Sequence, residues 1–351
     1  MSRDVTDLDM DALELAISPD GTPANPVLVV ALDAWAGEPH DRIERAARSL
    51  AGSLRLTIGT LRHPAPPSLA PLLRAVTLTL AETAHPATTI VDCPDPDAAL
   101  KHLEEAVRRN PRASVALGRL LRQTTVPDTF AGLGAEASVY SMLLAGSEFR
   151  RWLAARGGPK PINFPDRPLV RLDRDGELLS VVLDHPERRN ALSFRLREEL
   201  LEALRLAELD PGIGRVLLRG SGPVFCSGGD LDEFGTAHDV VAAYLVRLER
   251  APWRIIDRLR DRVSAHVQGA CIGAGIEMAA FAGRLVATPE TFFRLPEIEM
   301  GLVPGAGGTV SIPRRIGRWR AAWMMLTGDR IDTATALRWN LIDAVEGSAI
   351  C

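Results

Sequence analysis

The sequence predicts an α/β protein in which short strands alternate with helices. Apolar, β-branched runs of four to six residues recur along the 351 positions and are typical of buried strands. Between them lie longer stretches with apolar residues at the three- and four-residue spacing of an amphipathic helix. Hydrophobic residues make up 46% of the chain. That share is enough for sizeable cores, and the length allows two or three domains.

The N-terminal part predicts a small α/β layer that follows an acidic arm at residues 1–26. The predicted strands lie at residues 27–32, 54–58 and 88–91, and the predicted helices at residues 41–50 and 69–83. This part contains no phosphate loop or nucleotide-binding pattern. We therefore expect it to be structural.

Residues 97–156 predict a helical region that ends at a linker. Apolar periodicity predicts three helices, at residues 98–107, after Asn110-Pro111, and at residues 139–153. Glycine and proline then dominate residues 157–165. These features divide the chain into an N-terminal region at residues 27–157, a linker at residues 158–167 and a core at residues 168–351.

The core begins with a predicted hairpin around Asp175-Gly176. An amphipathic helix follows at residues 193–209, with Ser193 as its N-cap. Further strands are predicted at residues 215–219 and 263–267.

Charge and cysteine content exclude several classes of protein. The net charge is -4 and the charges are of mixed sign, so we expect no nucleic-acid partner. The arginine-rich stretches at 254–262 and 314–320 indicate helix surface or, alternatively, contact with an anionic ligand. Four scattered cysteines (Cys93, Cys226, Cys271 and Cys351) indicate neither a disulfide framework nor a metal site. Such cysteines fit a reduced cytoplasm, which we expect as the location. An acidic N-terminus without a long apolar stretch argues against a signal peptide or a membrane anchor.

Two glutamates lie in unusual surroundings. Glu277 follows the small-residue run 269–275 and precedes an apolar helical run. Glu297 follows Pro296 and precedes the glycine-rich segment 301–309, which only a tight turn or a ligand-facing backbone would require. Two carboxylates in polar-poor surroundings are typical of one acid and one base. The alternative is that both are structural ion-pair partners.

Four motifs, in order, resemble the enoyl-CoA hydratase/isomerase (crotonase) family. They are the segment 185–192 (HPERRNAL), the segment 225–231 (FCSGGDL) and the two glutamate motifs. The resemblance covers residues 168 to about 345 and implies a crotonase-like spiral of ββα turns, preceded here by the smaller α/β and helical region. It also implies an acyl-CoA substrate, no further cofactor, and no metal.

The resemblance implies a role for each of four catalytic residues. The backbone N–H groups of Ser227 and Ala274 would hold the thioester oxygen as negative charge builds on it. Glu297 would deliver a proton to the α-carbon, and Glu277 would activate a water molecule. Ala274 stands where the family usually has glycine, a change that we expect to narrow the pocket.

The resemblance also implies a set of substrate-binding residues: Arg188, Ala191, Leu192, Gly229, Asp230, Leu231 and Gly305. Arg188 would meet the phosphates of coenzyme A, or else belong to a solvated loop. Where many relatives have a basic residue after the Gly-Asp turn, this chain has Asp232-Glu233. Residues 234–260 should line the acyl pocket, and Tyr244, Leu248, Trp253 and Ile256 indicate an apolar or aromatic acyl group.

The region at 98–157 resembles the helical tail that closes a subunit of this family, whereas the core ends soon after Asp332. We expect residues 27–157 to be a degenerate second copy whose tail packs on the core; an unrelated α/β domain is the alternative. A homo-oligomer, either a trimer or a hexamer, is expected from the resemblance.

These features favour an enzyme that hydrates a 2-enoyl-CoA. Retention of both glutamates supports hydration over isomerisation, hydrolysis, decarboxylation or cofactor-free oxygenation of an acyl-CoA. A catalytically silent subunit that binds coenzyme A is a further alternative.

Overall fold

The computed structural model describes residues 13–82, 87–125 and 128–347. The first part of the predicted acidic arm, residues 1–12, lies outside the described residues, as does Cys351. In the described part, no helix is both long enough and apolar enough to cross a bilayer.

The N-terminal region opens with a four-stranded, fully parallel sheet in the order β1-β2-β3-β4. Its strands are β1 (Val27–Ala31), β2 (Leu56–Leu61), β3 (Leu78–Ala81) and β4 (Ile90–Asp92). Helices α1 (His40–Gly52) and α2 (Ala70–Ala75) connect the first three strands. Three of these strands and α1 lie where the sequence predicts them.

The prediction of one helix over 69–83 is wrong for its second half. Residues 67–69 form a 3-10 turn, α2 ends at Ala75, and β3 follows. All four residues of β3 are buried, and the strand lies between β2 and β4. A short, fully buried apolar run does not distinguish a strand from a helix by its period, so only the pairing with two neighbours defines it. Thr83 lies outside the described residues.

Four helices follow the sheet. They are α3 (Pro96–Arg109), α4 (Pro111–Gln123), α5 (Thr129–Leu144) and α6 (Ser147–Arg156). The first two match the prediction, but the single helix expected at 139–153 is two helices separated at Ala145-Gly146. Asp128 caps the start of α5 by accepting hydrogen bonds from the N–H groups of residues 130 and 131.

The core contains a six-stranded and a three-stranded sheet. The first has the order β13-β10-β8-β7-β6-β5 and is parallel except for the hairpin of β5 and β6; the second has the order β12-β11-β9. The strands are β5 (Val170–Asp175), β6 (Leu178–Leu183), β7 (Arg215–Gly220), β8 (Val263–Val267), β9 (Ala270–Ile272), β10 (Arg284–Ala287), β11 (Phe292–Arg294), β12 (Ile331–Asp332) and β13 (Ala344–Val345).

Two turns of the core chain place one strand in each sheet and then a helix. The pair β8 and β9 is followed by a helix at residues 274–279, and the pair β10 and β11 by a 3-10 helix at residues 297–300. The core helices are α7 (Phe194–Leu209), α8 (Val240–Glu249), α9 (Pro252–Arg258), α10 (Ala274–Ala279), α11 (Gly308–Thr327) and α12 (Thr333–Arg338). The predicted spiral of ββα turns, preceded by an α/β and helical region, is confirmed.

The N-terminal helices pack directly on the core. Helices α3, α4 and α5 all contact α11, and α5 also contacts α8. Asn110 links the two parts: its buried amide nitrogen donates to the backbone oxygens of Ile298, at 2.7 Å, and Glu299, at 3.2 Å. The origin of residues 27–157 as a degenerate second copy stays a prediction.

We expect Asn110→Ala to lower the free energy of unfolding by about 1–3 kcal/mol, because two buried backbone carbonyls of the core lose their donor. Urea denaturation followed by circular dichroism would measure the change. Asn163→Ala, at an exposed position of the linker, is the matched control and should stay near the wild-type value. A stability for Asn110→Ala equal to that of Asn163→Ala would contradict the proposed link.

Candidate active site

A cavity of about 670 Å³ lies between the core and the helices of the N-terminal region. The N-terminal region contributes Tyr140, Leu144 and Trp152 to its wall. The core contributes the segment 227–231 and both glutamates singled out from the sequence. The helical region predicted to cover the core is therefore part of the cavity wall.

Glu277 enters this cavity from α10 and is only 2% exposed. Its Oε2 accepts hydrogen bonds from the backbone N–H groups of Ala306, at 2.7 Å, and Gly308, at 2.9 Å. Burial and the nearby carboxyls of Glu297 and Glu136 raise its pKa well above the ordinary value, while the two N–H groups lower it. These two hydrogen bonds favour the ionised form of Glu277 more than would be the case for a buried carboxyl without hydrogen-bond partners.

Glu297 begins the 3-10 helix Glu297–Met300 and is 8% exposed. Its Oε2 has no hydrogen-bond partner among the described residues. A Cβ atom at Gly273 would lie 2.7 Å from Oε1, and Gly273 has a φ of +50°, so glycine is required at this approach. Burial is the main cause that raises the pKa of Glu297 to about 8. A carboxyl with this pKa is protonated at neutral pH.

The backbone N–H groups of Gly229 and Ala274 lie at the cavity wall and have no acceptor among the described residues. Ser227, in contrast, donates its N–H to the carbonyl oxygen of Arg189 at 3.1 Å. The expectation that the Ser227 N–H is free to hold a thioester oxygen is therefore wrong. Arg189 has a φ of +54°, and this turn brings its carbonyl to Ser227.

The predicted substrate-binding residues divide into two groups. Those that line the cavity are Leu192, Gly229, Asp230, Leu231 and Gly305. Arg188 and Ala191 are not among the described residues that line it.

Arg188 is expected to bind phosphate, but in this structure two carboxylates hold its guanidinium. Its guanidinium donates to both carboxylate oxygens of Asp230, at 2.7 Å and 2.9 Å, and to Asp232 at 2.7 Å. Asp230 also accepts a hydrogen bond from the N–H of Asp232, as Asx-type bracing of this loop predicts. Arg188 therefore stabilises this loop, and its contact with the phosphates of coenzyme A stays a prediction.

Of the apolar residues expected at the acyl pocket, Trp253 lines the cavity. Tyr244, Leu248 and Ile256 are not among its described lining residues. Ile256 is fully buried in the hydrophobic core, and the partly buried Leu248 packs against that core.

Sequence reasoning missed three side chains at this site: Glu136, Tyr140 and Arg247. Arg247 lies over the Tyr140 ring, 3.8 Å from its centroid, and donates to the carbonyl oxygen of Gly305 at 3.0 Å. Glu136 is 2% exposed and contacts the glycine-rich turn before α11. The sequence does contain a sign of Glu136. It lies three residues after Leu133 and four before Tyr140, so on a helix it shares one face with two apolar residues that are buried.

Comparison with known proteins identifies the family to which the chain belongs. The model of the enoyl-CoA hydratase/isomerase family matches residues 173–349, about half of the chain. A Mycobacterium leprae protein named "Probable enoyl-CoA hydratase" is 33% identical over 167 residues, which are 47% of this chain and 63% of the relative. The chain thus spans less than two thirds of that relative's length.

A second relative and a solved structure also match this chain. An enoyl-CoA isomerase/hydratase of Mycosarcoma maydis is 34% identical over 191 residues, which are 51% of this chain and 70% of the relative. The crystal structure of a Thermobifida fusca protein described as "a putative enoyl-CoA hydratase", in complex with acetoacetyl-CoA, matches with a TM-score of 0.48 and 28% identity. That match covers 52% of this chain and 75% of the other. The family model and the coverage of the Mycosarcoma relative show that this chain belongs to the enoyl-CoA hydratase/isomerase family.

Proposed function

We propose that the protein adds water across the 2,3 double bond of a 2-enoyl-CoA thioester. The observation that carries this proposal is the convergence of Glu277, Glu297 and two unoccupied backbone N–H groups on one cavity. Hydration needs these groups together: an acid, a base, and donors for the thioester oxygen. Relatives named as enoyl-CoA hydratases support the choice of reaction.

The N–H groups of Gly229 and Ala274 would donate to the thioester oxygen. Addition of a nucleophile at C3 moves the electrons of the double bond toward that oxygen, which becomes negative. Donors fixed in the backbone stabilise this charge without having to reorganise. The N–H of Ser227 would instead hold the turn that presents Gly229, through the carbonyl of Arg189.

The two glutamates would divide the proton transfers. Glu277, held by two N–H groups, takes a proton from water as the water oxygen bonds to C3. Glu297, whose pKa burial raises to about 8, gives its proton to C2. One water molecule is added and each carboxyl ends in the other's initial protonation state. No cofactor beyond the coenzyme A of the substrate is needed.

The cavity wall suits an apolar acyl group. Its apolar and aromatic side chains include Tyr140, Leu144, Trp152, Phe234, Val246 and Trp253. Three of these come from the N-terminal region, so that region would help to select the substrate. The trimeric or hexameric assembly and the cytoplasmic location stay predictions.

Glu277→Gln and Glu297→Gln should each lower the hydration rate by about 100- to 10,000-fold, because each removes a proton donor or acceptor. The measurement is the loss of the conjugated thioester absorbance with short, long and aryl 2-enoyl-CoA substrates. Glu105→Gln, which removes an exposed carboxylate from α3, should react like the wild type. Wild-type rates in both site variants would refute the assignment, and a wild type inert toward the whole panel would refute hydration itself.

Ala274→Pro should lower the hydration rate by on the order of 100-fold or more, because it deletes only one N–H donor. Ala274 is the first residue of α10, where proline is tolerated. The matched variant Ala274→Ser keeps the N–H and should retain most of the activity. Equal rates for the proline and serine variants would exclude this N–H as a donor, provided that both variants show wild-type unfolding transitions.

The raised pKa of Glu297 should also make the free energy of unfolding depend on pH. From pH 4.5 to about 8, folded Glu297 keeps a proton that the unfolded chain has released. The free energy of unfolding contributed by this group therefore falls as the pH rises through that window. We expect Glu297→Gln, which stays neutral, to gain stability relative to wild type from pH 4.5 to 8 in urea titrations. Glu105→Gln controls for the change of one net charge, and a pH-independent difference between Glu297→Gln and wild type would contradict the raised pKa.

A further inference from the structure

A third buried carboxylate, Glu136, approaches the site from α5 of the N-terminal region. Its Oε1 accepts a hydrogen bond from the N–H of Gly307 at 2.7 Å. Its Oε2 accepts from the N–H of Thr309 at 2.8 Å and from the Thr309 hydroxyl at 2.7 Å. All three partners are donors, an arrangement that suits the ionised form of a carboxylate.

Glu136 and Glu277 share one turn of backbone. The N–H groups of Ala306 and Gly308 point to Glu277, and those of Gly307 and Thr309 point to Glu136. Four successive N–H groups therefore alternate between the two carboxylates. Because rigid peptide planes join them, a displacement of one pair displaces the other.

The charges that face Glu136 come from three other elements and from its own helix. Arg247 of α8 lies nearby and favours its ionised form, and Tyr140 follows one turn later on α5. Burial is the main cause that raises the pKa values of Glu277, on α10, and Glu297, on the 3-10 helix, and the charge of Glu136 raises both further. Burial raises the pKa of Glu136 itself to about 7, against its three hydrogen bonds and Arg247.

We propose that Glu136 is a positioning residue for the reaction: it fixes the turn at 306–309 so that Glu277 faces the substrate, and it adds a third buried carboxyl to the cluster of Glu277 and Glu297. The inference rests on the proposed hydration, because it names a residue that supports the same site. Glu136 belongs to the N-terminal region, so the active site of the core is complete only with that region in place.

The chain offers a matched control in Glu148. This second buried glutamate of the N-terminal region is 5% exposed and holds the N–H groups of Arg112 and Ala113, each at 2.9 Å. It is not among the described residues that line the cavity. Glu148→Gln therefore removes an equivalent buried charge from backbone donors without touching the turn at 306–309.

The experiment compares Glu136→Gln, Glu148→Gln and wild type in the pH dependence of 2-enoyl-CoA hydration. For Glu136→Gln we expect kcat to fall on the order of 10- to 100-fold with little change in KM, because the base is misplaced while the binding surfaces remain. Its pH profile should shift to lower pH by roughly one unit, because loss of a neighbouring negative charge lowers the pKa values of Glu277 and Glu297. Glu148→Gln should keep the wild-type profile.

An unchanged profile in Glu136→Gln, with a loss of activity no greater than that of Glu148→Gln, would overturn the proposal and leave Glu136 a structural cap. If Glu136→Gln does not fold, Thr309→Val deletes only one of the three hydrogen bonds and should give a smaller shift in the same direction. No shift in Thr309→Val would then overturn the proposal.

A second measurement separates this inference from the proposed function. In protein labelled with ¹³C at the glutamate carboxyl carbons, the Glu297 signal is assigned by its absence in Glu297→Gln. Its titration midpoint should fall in Glu136→Gln and stay in Glu148→Gln, whether or not the protein hydrates any enoyl-CoA. An unmoved midpoint would refute the inference even if wild-type hydration is observed.

Discussion

The hydrogen bonds from residues 306–309 to two buried carboxylates are the constraint on which the site depends. Helix α11 starts at Gly308, deep in the structure, and the first N–H groups of any helix lack partners within it. Leaving such donors unsatisfied in the interior costs free energy. Glu277 and Glu136 satisfy them, and the same donors stabilise charge that burial would otherwise neutralise. The fold and the charge state of the site are therefore maintained by the same bonds.

This arrangement makes the N-terminal region a physical part of the site. Helix α5 supplies Glu136 and Tyr140, and Asn110 at the junction of α3 and α4 holds the backbone at Ile298. The 3-10 helix that carries Glu297 is thus anchored from outside the core. The helical region predicted to pack on the core lies where it can orient both glutamates. Its sheet, β1 to β4, lies behind these helices and contacts α11 through β3 and β4.

Local motifs in the sequence were sufficient to identify the cavity but not its hydrogen bonds. Glu277, Glu297 and the glycine-rich turns stand close together in the chain, and all of them line one cavity. The availability of an N–H group is a different matter, because it depends on which carbonyl approaches it. Ser227 is occupied by the carbonyl of Arg189, whereas Gly229, two residues later, is not.

Glu136 illustrates a second limit on sequence reasoning. It lies 171 positions before its partner Gly307, and no spacing rule connects the two. The helix predicted here begins at residue 139, so the prediction left Glu136 outside the helix that buries it. Its hydrogen-bond partners, Gly307 and Thr309, come within reach only because α5 packs against α11. The strand Leu78–Ala81 was missed for a related reason, because its pairing with two neighbours overrode an ambiguous apolar run.

The distribution of donors accounts for how three neighbouring carboxyls would serve the proposed acid–base reaction. Three ionised carboxylates in one buried site would repel each other strongly, so at least one proton must be retained. Glu136 has three donors and Glu277 has two, whereas Oε2 of Glu297 has none among the described residues. Hydrogen bonding therefore favours Glu297 as the carboxyl that keeps the proton, although burial raises the pKa of Glu277 well above its ordinary value too. Addition of water requires that state at the outset: one carboxylate ready to accept a proton and one carboxylic acid ready to donate it.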